Sequence, residues 1–248
     1  MKPDSVTVSG NTVYVLNEGD GGSHAANISG FKISGASLTA IASSTQALST
    51  ANPLPVDISF TPDGSILVVT EKATNMIDTF VVTSGVASAV HAQASAGVTP
   101  FGFAFSRAGQ LVVSEATGGS ANASTISSYS VASDGTITPI TSTLATSQTA
   151  ACWLTVAGDW AYAANTGSAN VSSLGVTSAG DVSLLSGNAA SSGAGSIDVA
   201  ATPDNGFLYA LASGPHTISI LSIQADGSLA PEPALTNAPL HAAGLVAR

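Results

Sequence analysis

Apolar residues along this chain come in short bursts divided by Gly, Ser, Asn and Asp. Ile66-Leu67-Val68-Val69 and Ile218-Ser219-Ile220-Leu221 are representative. Such runs of four to six residues, rich in β-branched side chains, predict strands. No window of twelve or more residues keeps a 3.6-residue period free of Gly and Pro. The pattern therefore predicts almost no helix.

The bursts form a longer unit that repeats: strand, tight turn, strand, loop, strand, turn, strand. It recurs over residues 3–50, 53–97, 99–146, 150–192 and 195–237. Equivalent positions are Ser5, Asp57, Gly102, Trp153 and Asp198, spaced 45 to 52 residues apart. That period suits the blades of a propeller. The first turn of each unit carries residues that tolerate positive φ, as in Ser9-Gly10-Asn11 and Pro62-Asp63-Gly64. The last turn carries Gly35, Gly85, Gly135, Gly180 or Gly227. A sandwich also gives short strands, but it does not require a whole four-strand unit to recur. One small sheet cannot bury both faces, whereas sheets stacked around an axis cover one another.

The predicted fold class is therefore all-β: a single β-propeller domain over residues 1–248, with five complete four-stranded repeats. The tail, 241–247, reads as one extra inner strand without partners, so the ring is expected to be incomplete or an open arc. A distorted five-bladed closure and assembly between chains are the alternatives. Open blade edges would then provide an oligomerisation surface.

Composition narrows the function. The 248 residues are 44% hydrophobic but only 8% charged, and five basic residues face fifteen acidic ones, for a net charge of −10. Nucleic-acid binding needs clustered Lys and Arg, and the body of the chain has only Lys32, Lys72 and Arg107. The same balance disfavours an anionic membrane surface. No apolar run reaches the ~18 residues of a membrane span. Met1-Lys2 leads straight into a strand, so no signal peptide is expected in this chain. The compartment stays open between cytoplasm and secretion or periplasm. Cys152 is the sole cysteine, which excludes an intrachain disulfide, and its apolar neighbours mark it as a buried small side chain.

Several stretches resemble a known family. They are Pro55 with Asp63-Gly64 and Thr70-Glu71-Lys72-Ala73-Thr74-Asn75, and Thr99-Pro100-Phe101-Gly102-Phe103-Ala104-Phe105 with Ser114-Glu115-Ala116. Ala150-Ala151-Cys152-Trp153, Asn165-Thr166-Gly167-Ser168 and Ala242-Ala243-Gly244-Leu245 belong with them. Together they resemble the lactonase-type seven-bladed propellers, which include 6-phosphogluconolactonases and carboxymuconate lactonising enzymes. The resemblance implies a lactonase-like hydrolase acting on a sugar-derived or carboxylic lactone, and about two further blades upstream. It also implies a Pro-Arg-His at the start of one inner strand, a Glu at the end of the next strand, and a His one blade earlier. Here those positions hold Pro100-Phe101-Gly102, Glu115 and Asp57. The alternative is a non-catalytic binding scaffold, or a degenerate member that has lost the Arg/His pair.

In a propeller the starts of the inner strands and the ends of the second strands share one face. Glu115 or Glu71 is then the candidate general base on water, and Lys72 the candidate oxyanion stabiliser. Asp57, Trp153, Asn165 and Asp198 are the candidate substrate-binding residues, and His241, near the tail strand, is assigned no role. The expected partner is a small molecule at the channel mouth. Carboxylates there could hold Ca²⁺ or Mg²⁺, but no calcium-loop motif occurs, and no cofactor or metal site is assigned. No phosphate loop, dinucleotide fingerprint or zinc motif is present.

Overall fold

The structure is a computed structural model that describes residues 2–240 and 242–247. Five separate antiparallel sheets follow the five repeats, and none closes on itself. Sheet 1 contains β1 (Pro3–Ser9), β2 (Thr12–Asn17), β3 (Asn27–Ser34), β4 (Ser37–Ala40) and β5 (Gln46–Ala47). Sheet 2 contains β6 (Pro55–Phe60), β7 (Ile66–Glu71), β8 (Met76–Thr83), β9 (Val86–Ala87) and β10 (His91–Ala94). Sheet 3 is β11 (Pro100–Phe105), β12 (Leu111–Glu115), β13 (Thr125–Val131) and β14 (Ile137–Ala145). Sheet 4 is β15 (Ala151–Ala157), β16 (Trp160–Asn165), β17 (Asn170–Val176) and β18 (Val182–Ser191). Sheet 5 is β19 (Ser196–Ala201), β20 (Phe207–Ala212), β21 (Thr217–Ile223) and β22 (Leu229–Thr236). Strands follow chain order within each sheet, as hairpin connections require. The only helical turn among the described residues is a 3₁₀ turn at Thr117–Gly119.

The outer strands of the first two sheets are interrupted, unlike the continuous strands the pattern predicts. In sheet 1 both β4 and β5 pair with β3, and the chain between them loops out. There the Ser44 hydroxyl replaces the ladder, bonding both the N–H and the C=O of Gly30 at 3.0 Å. A side chain at Gly30 would lie 2.7 Å from the Tyr14 ring, so the ring itself requires this small residue. In sheet 2, β9 and β10 both pair with β8, and the Ser88 hydroxyl accepts the Val81 N–H between them.

The expected inner strand in the tail does not form. Residues 242–247 carry no strand, and His241 lies outside the described residues. A strand exists only through a ladder to a neighbour, and here the tail has no such ladder. It is held instead by the Leu245 N–H, which donates to the Asp198 carboxylate.

The chain divides into two compact units, residues 1–100 with 131–138, and residues 101–130 with 139–248. In the first unit, sheet 1 lays Tyr14, Leu16, Ala26, Ile28 and Leu48 against Ile58, Phe60, Leu67, Val69, Phe80 and Ala87 of sheet 2. In the second unit, one core joins sheets 3 and 4 around Val112, Ile126, Leu154 and Leu174. Another joins sheets 4 and 5 around Tyr162, Val171, Val199, Leu208 and Leu221. Each sheet supplies alternate residues to each of its faces, as the two-residue strand period requires.

A single polar bond recurs in each of these stackings. A hydroxyl in the middle of one sheet donates to the carbonyl of the glycine in the last turn of the next repeat. Tyr14 reaches Gly85 at 2.9 Å, and Thr79 reaches Gly135 at 2.7 Å. Ser128 reaches Gly180 at 2.7 Å, and Tyr162 reaches Gly227 at 3.1 Å. The four hydroxyls occupy one structural position. Tyr14 and Tyr162 lie in second strands opposite Gly30 and Ser173, whereas Thr79 and Ser128 lie in third strands opposite Val68 and Val112. The cross-strand pair thus supplies one hydroxyl from either side.

The glycines that accept these bonds all have φ between 81° and 91°. At Gly227 an added Cβ would also sit 2.6 Å from the Trp160 ring. Tyr162→Phe should lower the unfolding free energy in urea by about 1 kcal/mol, the net worth of one hydrogen bond. Gly227→Ala should cost about 2 to 4 kcal/mol, because it adds backbone strain to a steric clash. If Gly227→Ala proved as stable as wild type, this packing of sheet 4 on sheet 5 would be wrong.

Candidate functional site

The first strands of four sheets bulge at one place. Register shifts fall between Pro3 and Ser5, Pro55 and Ile58, Ala151 and Trp153, and Ser196 and Asp198. The equivalent positions read from sequence lie at these bulges. A bulge inserts one residue and re-aims the side chains beside it, and such irregularities favour binding surfaces. In sheet 1 the inserted residue is Asp4, which sequence reasoning passed over in favour of its neighbour Ser5. Its only signal was a place one residue before the aligned column.

Around Asp4 the first unit gathers charge. Lys2 Nζ pairs with Glu18 Oε2 at 2.5 Å. Loss of water around its carboxyl, and then the Glu18 carboxylate, push Asp4 above its ordinary range, while Lys2 and Lys72 pull it back. Lys72, predicted as an oxyanion stabiliser, therefore shares an electrostatic field with Asp4, Glu18 and Lys2. Beside Glu18 lies a cleft of about 310 Å³ lined by Glu18, Gly19, Asp20, Gly21, Asn52 and Leu54. Its Asp20 wall is rigid: the carboxylate accepts the N–H groups of Gly22 and His24 at 2.9 Å and pairs with His24 Nδ1 at 2.6 Å. The other wall is fixed where Lys72 and Ala73 donate backbone N–H groups to Leu54 and Pro53. Next to this cluster, Asp57 accepts the Ser5 hydroxyl at 3.0 Å and the Ile58 N–H at 2.9 Å.

Glu71 and Glu115 lie elsewhere. Both are fully buried, with 0% exposure. Glu71 accepts the Ser49 N–H at 3.1 Å, the Ser49 hydroxyl, and the Thr74 hydroxyl at 2.5 Å. Glu115 accepts the hydroxyl of Thr125. Asn165, also at 0% exposure, occupies the same position in sheet 4 and donates to Asn170 and Ser172 at 2.7 and 2.8 Å. Glu71 thus ties down loop residues, Glu115 and Asn165 bond side chains of the third strand of their own sheets, and all three side chains are closed to water. Sequence gave no warning, because a polar residue at a strand end looks alike whether it points out or folds back.

Glu71 has a second buried partner, Asp78, also at 0% exposure. Ser49 N–H bridges to Asp78 Oδ2 at 3.0 Å, and Asp78 Oδ1 has no donor. Burial and then contact with Glu71 push the Asp78 carboxyl up to about 8. A neutral carboxyl there can donate its proton to Glu71, which satisfies both groups. The pair therefore anchors the loop that leads to Asn52 and Leu54.

In the second unit the candidates remain in their own sheets. Trp153 meets Phe101 edge to face, with ring centroids 5.3 Å apart. Between them Gly102 packs against sheet 4: an added Cβ would lie 2.8 Å from the Cys152 carbonyl and 3.0 Å from Trp153 Cα. Cys152 itself is half-buried. Asp198, raised by burial against the N–H groups of Val199 and Leu245, holds the tail. Among the described residues, no three His, Cys, Asp or Glu side chains cluster to hold a metal ion. No helix there is long and apolar enough to cross a membrane.

Five antiparallel sheets that follow the five repeats in chain order, and pack by their faces within each unit, define a partial β-propeller. Residues 3–118 match the family described as Lactonase, 7-bladed beta-propeller, which supports a lactonase-type propeller. No curated protein matches the chain. Among solved structures, a Bacteroides uniformis protein provisionally assigned as a 6-phosphogluconolactonase is similar at 18% identity, with a TM-score of 0.79, covering 96% of this chain and 73% of that one. A periplasmic gluconolactonase from Pseudomonas aeruginosa is similar at 13% identity and TM-score 0.56, covering 95% and 86%. A virginiamycin B lyase from Staphylococcus aureus is similar at 18% identity and TM-score 0.62, covering 93% and 69%. At these identities the likeness establishes the fold, and one fold hosts several chemistries.

The buried pair gives a pH signature. A carboxyl whose folded-state pKa is raised favours the folded chain at low pH, and the advantage is lost as pH rises towards the raised value. The stability of wild type relative to Asp78→Asn should therefore fall between about pH 4 and about pH 8, read from melting temperatures of both proteins. A constant difference across that range would show that no proton is shared.

Proposed function

We propose that this chain hydrolyses a sugar-derived or carboxylic lactone at the charged cluster of its first unit. The observation that carries this reading is the shared field of Asp4, Glu18, Lys2 and Lys72. Asp4, Glu18 and Lys72 also fall inside the segment that matches the lactonase family. Asp4 is the base: its raised pKa makes it a stronger acceptor for a water proton. The water oxygen then bonds to the lactone carbonyl carbon, and the Lys72 ammonium stabilises the oxyanion. Collapse breaks the ring C–O bond, and the leaving oxygen takes the proton held by Asp4. Glu71 serves as a buried anchor for the Ser49 segment beside this site.

The second reading, a propeller that binds without hydrolysis, is favoured by Gly102 and Phe101. Where the resemblance implies an Arg-His pair, this chain has an apolar edge on Trp153 and no room for a side chain at 102.

A lactone panel followed by acid release separates the two. Hydrolysis predicts turnover that rises as Asp4 deprotonates, with the midpoint above an ordinary aspartate. Asp4→Asn should lower the rate about 100-fold, and Lys72→Met about 10- to 100-fold. Glu115→Gln should lower the melting temperature without moving the pH profile. A lactone that raises the melting temperature but is never opened would establish the binding reading.

A further inference from the structure

Within the second unit, three successive sheets line a cleft of about 380 Å³ where their first strands end and turn. Sheet 3 contributes Phe105 and Arg107, sheet 4 Val156 and Gly158, and sheet 5 Pro203 and Asn205. The cluster proposed for hydrolysis lies in the other unit, so this cleft stands apart from it. Arg107 is the only Lys or Arg among the described residues of the second unit. Among those residues no carboxylate pairs with its guanidinium and nothing hydrogen-bonds it. The Asn205 carboxamide likewise has no hydrogen-bond partner there.

Polar side chains in the equivalent turns are used differently. Asp63 accepts the Thr61 hydroxyl at 2.6 Å and the Ser65 N–H at 3.1 Å, and Asp204 accepts the Gly206 N–H at 3.0 Å. Those carboxylates close their own turns. Arg107 has no such duty, because the Ser106 hydroxyl accepts the N–H groups of Ala108 and Gln110 at 3.3 and 3.1 Å. Asn205 occupies the left-handed position, with φ of 60°, that Gly64 and Gly109 hold in sheets 2 and 3. Glycine fills that position with less strain, so the turn does not require the amide. Two rigid turns therefore carry one guanidinium and one amide to the same cleft. The amide stands over Gly158, with Nδ2 3.8 Å from where a Cβ there would lie. Apolar lining comes from Val156, Pro203 and Phe105, whose ring meets Phe103 edge to face with centroids 5.9 Å apart.

We propose that this cleft binds a small monocarboxylate with an apolar body, its carboxylate held by the Arg107 guanidinium and the Asn205 amide N–H. A guanidinium offers two parallel N–H groups that match the two oxygens of a carboxylate. The apolar lining suits a hydrocarbon body, and a single cation suits a single negative charge. Asp204 beside Asn205, and Asp159 in a smaller cleft that Arg107 also borders, disfavour a doubly charged anion.

Titration of the full chain with benzoate at constant ionic strength tests this, followed by nitrogen-15 NMR of the Arg107 Nε–H and the Asn205 side-chain amide. Both signals should shift and saturate in the millimolar range. Arg107→Met should abolish saturation at the Asn205 amide. Arg107→Lys should weaken binding about tenfold, because the charge remains but the two-pronged geometry is lost. Asn205→Gly, which keeps the left-handed turn, should weaken it about fivefold, the loss of one hydrogen bond. Unchanged melting temperatures check that the variants fold. Benzamide, the uncharged analogue, should give no saturation, and inorganic phosphate should not displace benzoate at equal concentration. A wild-type chain that shows no saturation by about 50 mM benzoate, far above a millimolar affinity, would overturn the proposal. So would binding that Arg107→Met retains, benzamide that binds as tightly, or phosphate that displaces benzoate.

Discussion

The constraint on which everything else depends is that each small sheet has two apolar faces and cannot cover either by itself. Burying them face to face supplies most of the stabilisation, because apolar area removed from water contributes in proportion to its extent. Such contact has little directional preference, so two apolar sheets could slide or rotate on one another. The hydroxyl-to-glycine bond removes that freedom. It joins the centre of one sheet to one turn of the next, and a buried donor left without its acceptor would be costly. A recurring polar bond inside an apolar interface therefore sets register, while the surrounding side chains supply the energy.

The same economy explains how polar residues are used. A chain with so few charges places two of its carboxylates, Glu71 and Glu115, wholly inside, where Glu71 accepts a loop hydroxyl and N–H and Glu115 a strand hydroxyl. Asp78 joins Glu71 at the cost of holding a proton. Glu71 and Asp78 anchor Ser49, in the segment that leads to Asn52 and Leu54 of the cleft beside Glu18. In the first unit Asp4, Glu18, Lys2 and Lys72 share one electrostatic field where a bulge turns the first strand of sheet 1. Chemistry and architecture thus draw on neighbouring residues of the same strands, and burial alone separates the two roles.

How much of this was legible in advance differs by level. The strands, the tight turns and the five-fold recurrence were plain, because alternation and glycine-bearing turns act within a few residues. The resemblance to lactonase-type propellers was legible in the same runs, and the match over residues 3–118 supports it. The broken outer strands were not legible, since Ser44 and Ser88 replace ladder bonds with side-chain bonds that leave no mark on the hydrophobic pattern. Nor was the unpaired tail, whose apolar residues look like a strand until one asks what lies beside them.

By itself, then, the sequence determined which segments are strands, where the chain turns, and that each repeat carries a glycine in its last turn. These follow from local sterics and from a period of two. Only the tertiary structure decided which hydroxyl meets which glycine, that Glu71 and Glu115 fold inward, and that Gly102 has no room for a side chain. Those outcomes depend on approaches across separate elements, from residues ten apart to residues more than fifty apart, and nothing in the spacing of residues along a strand records them.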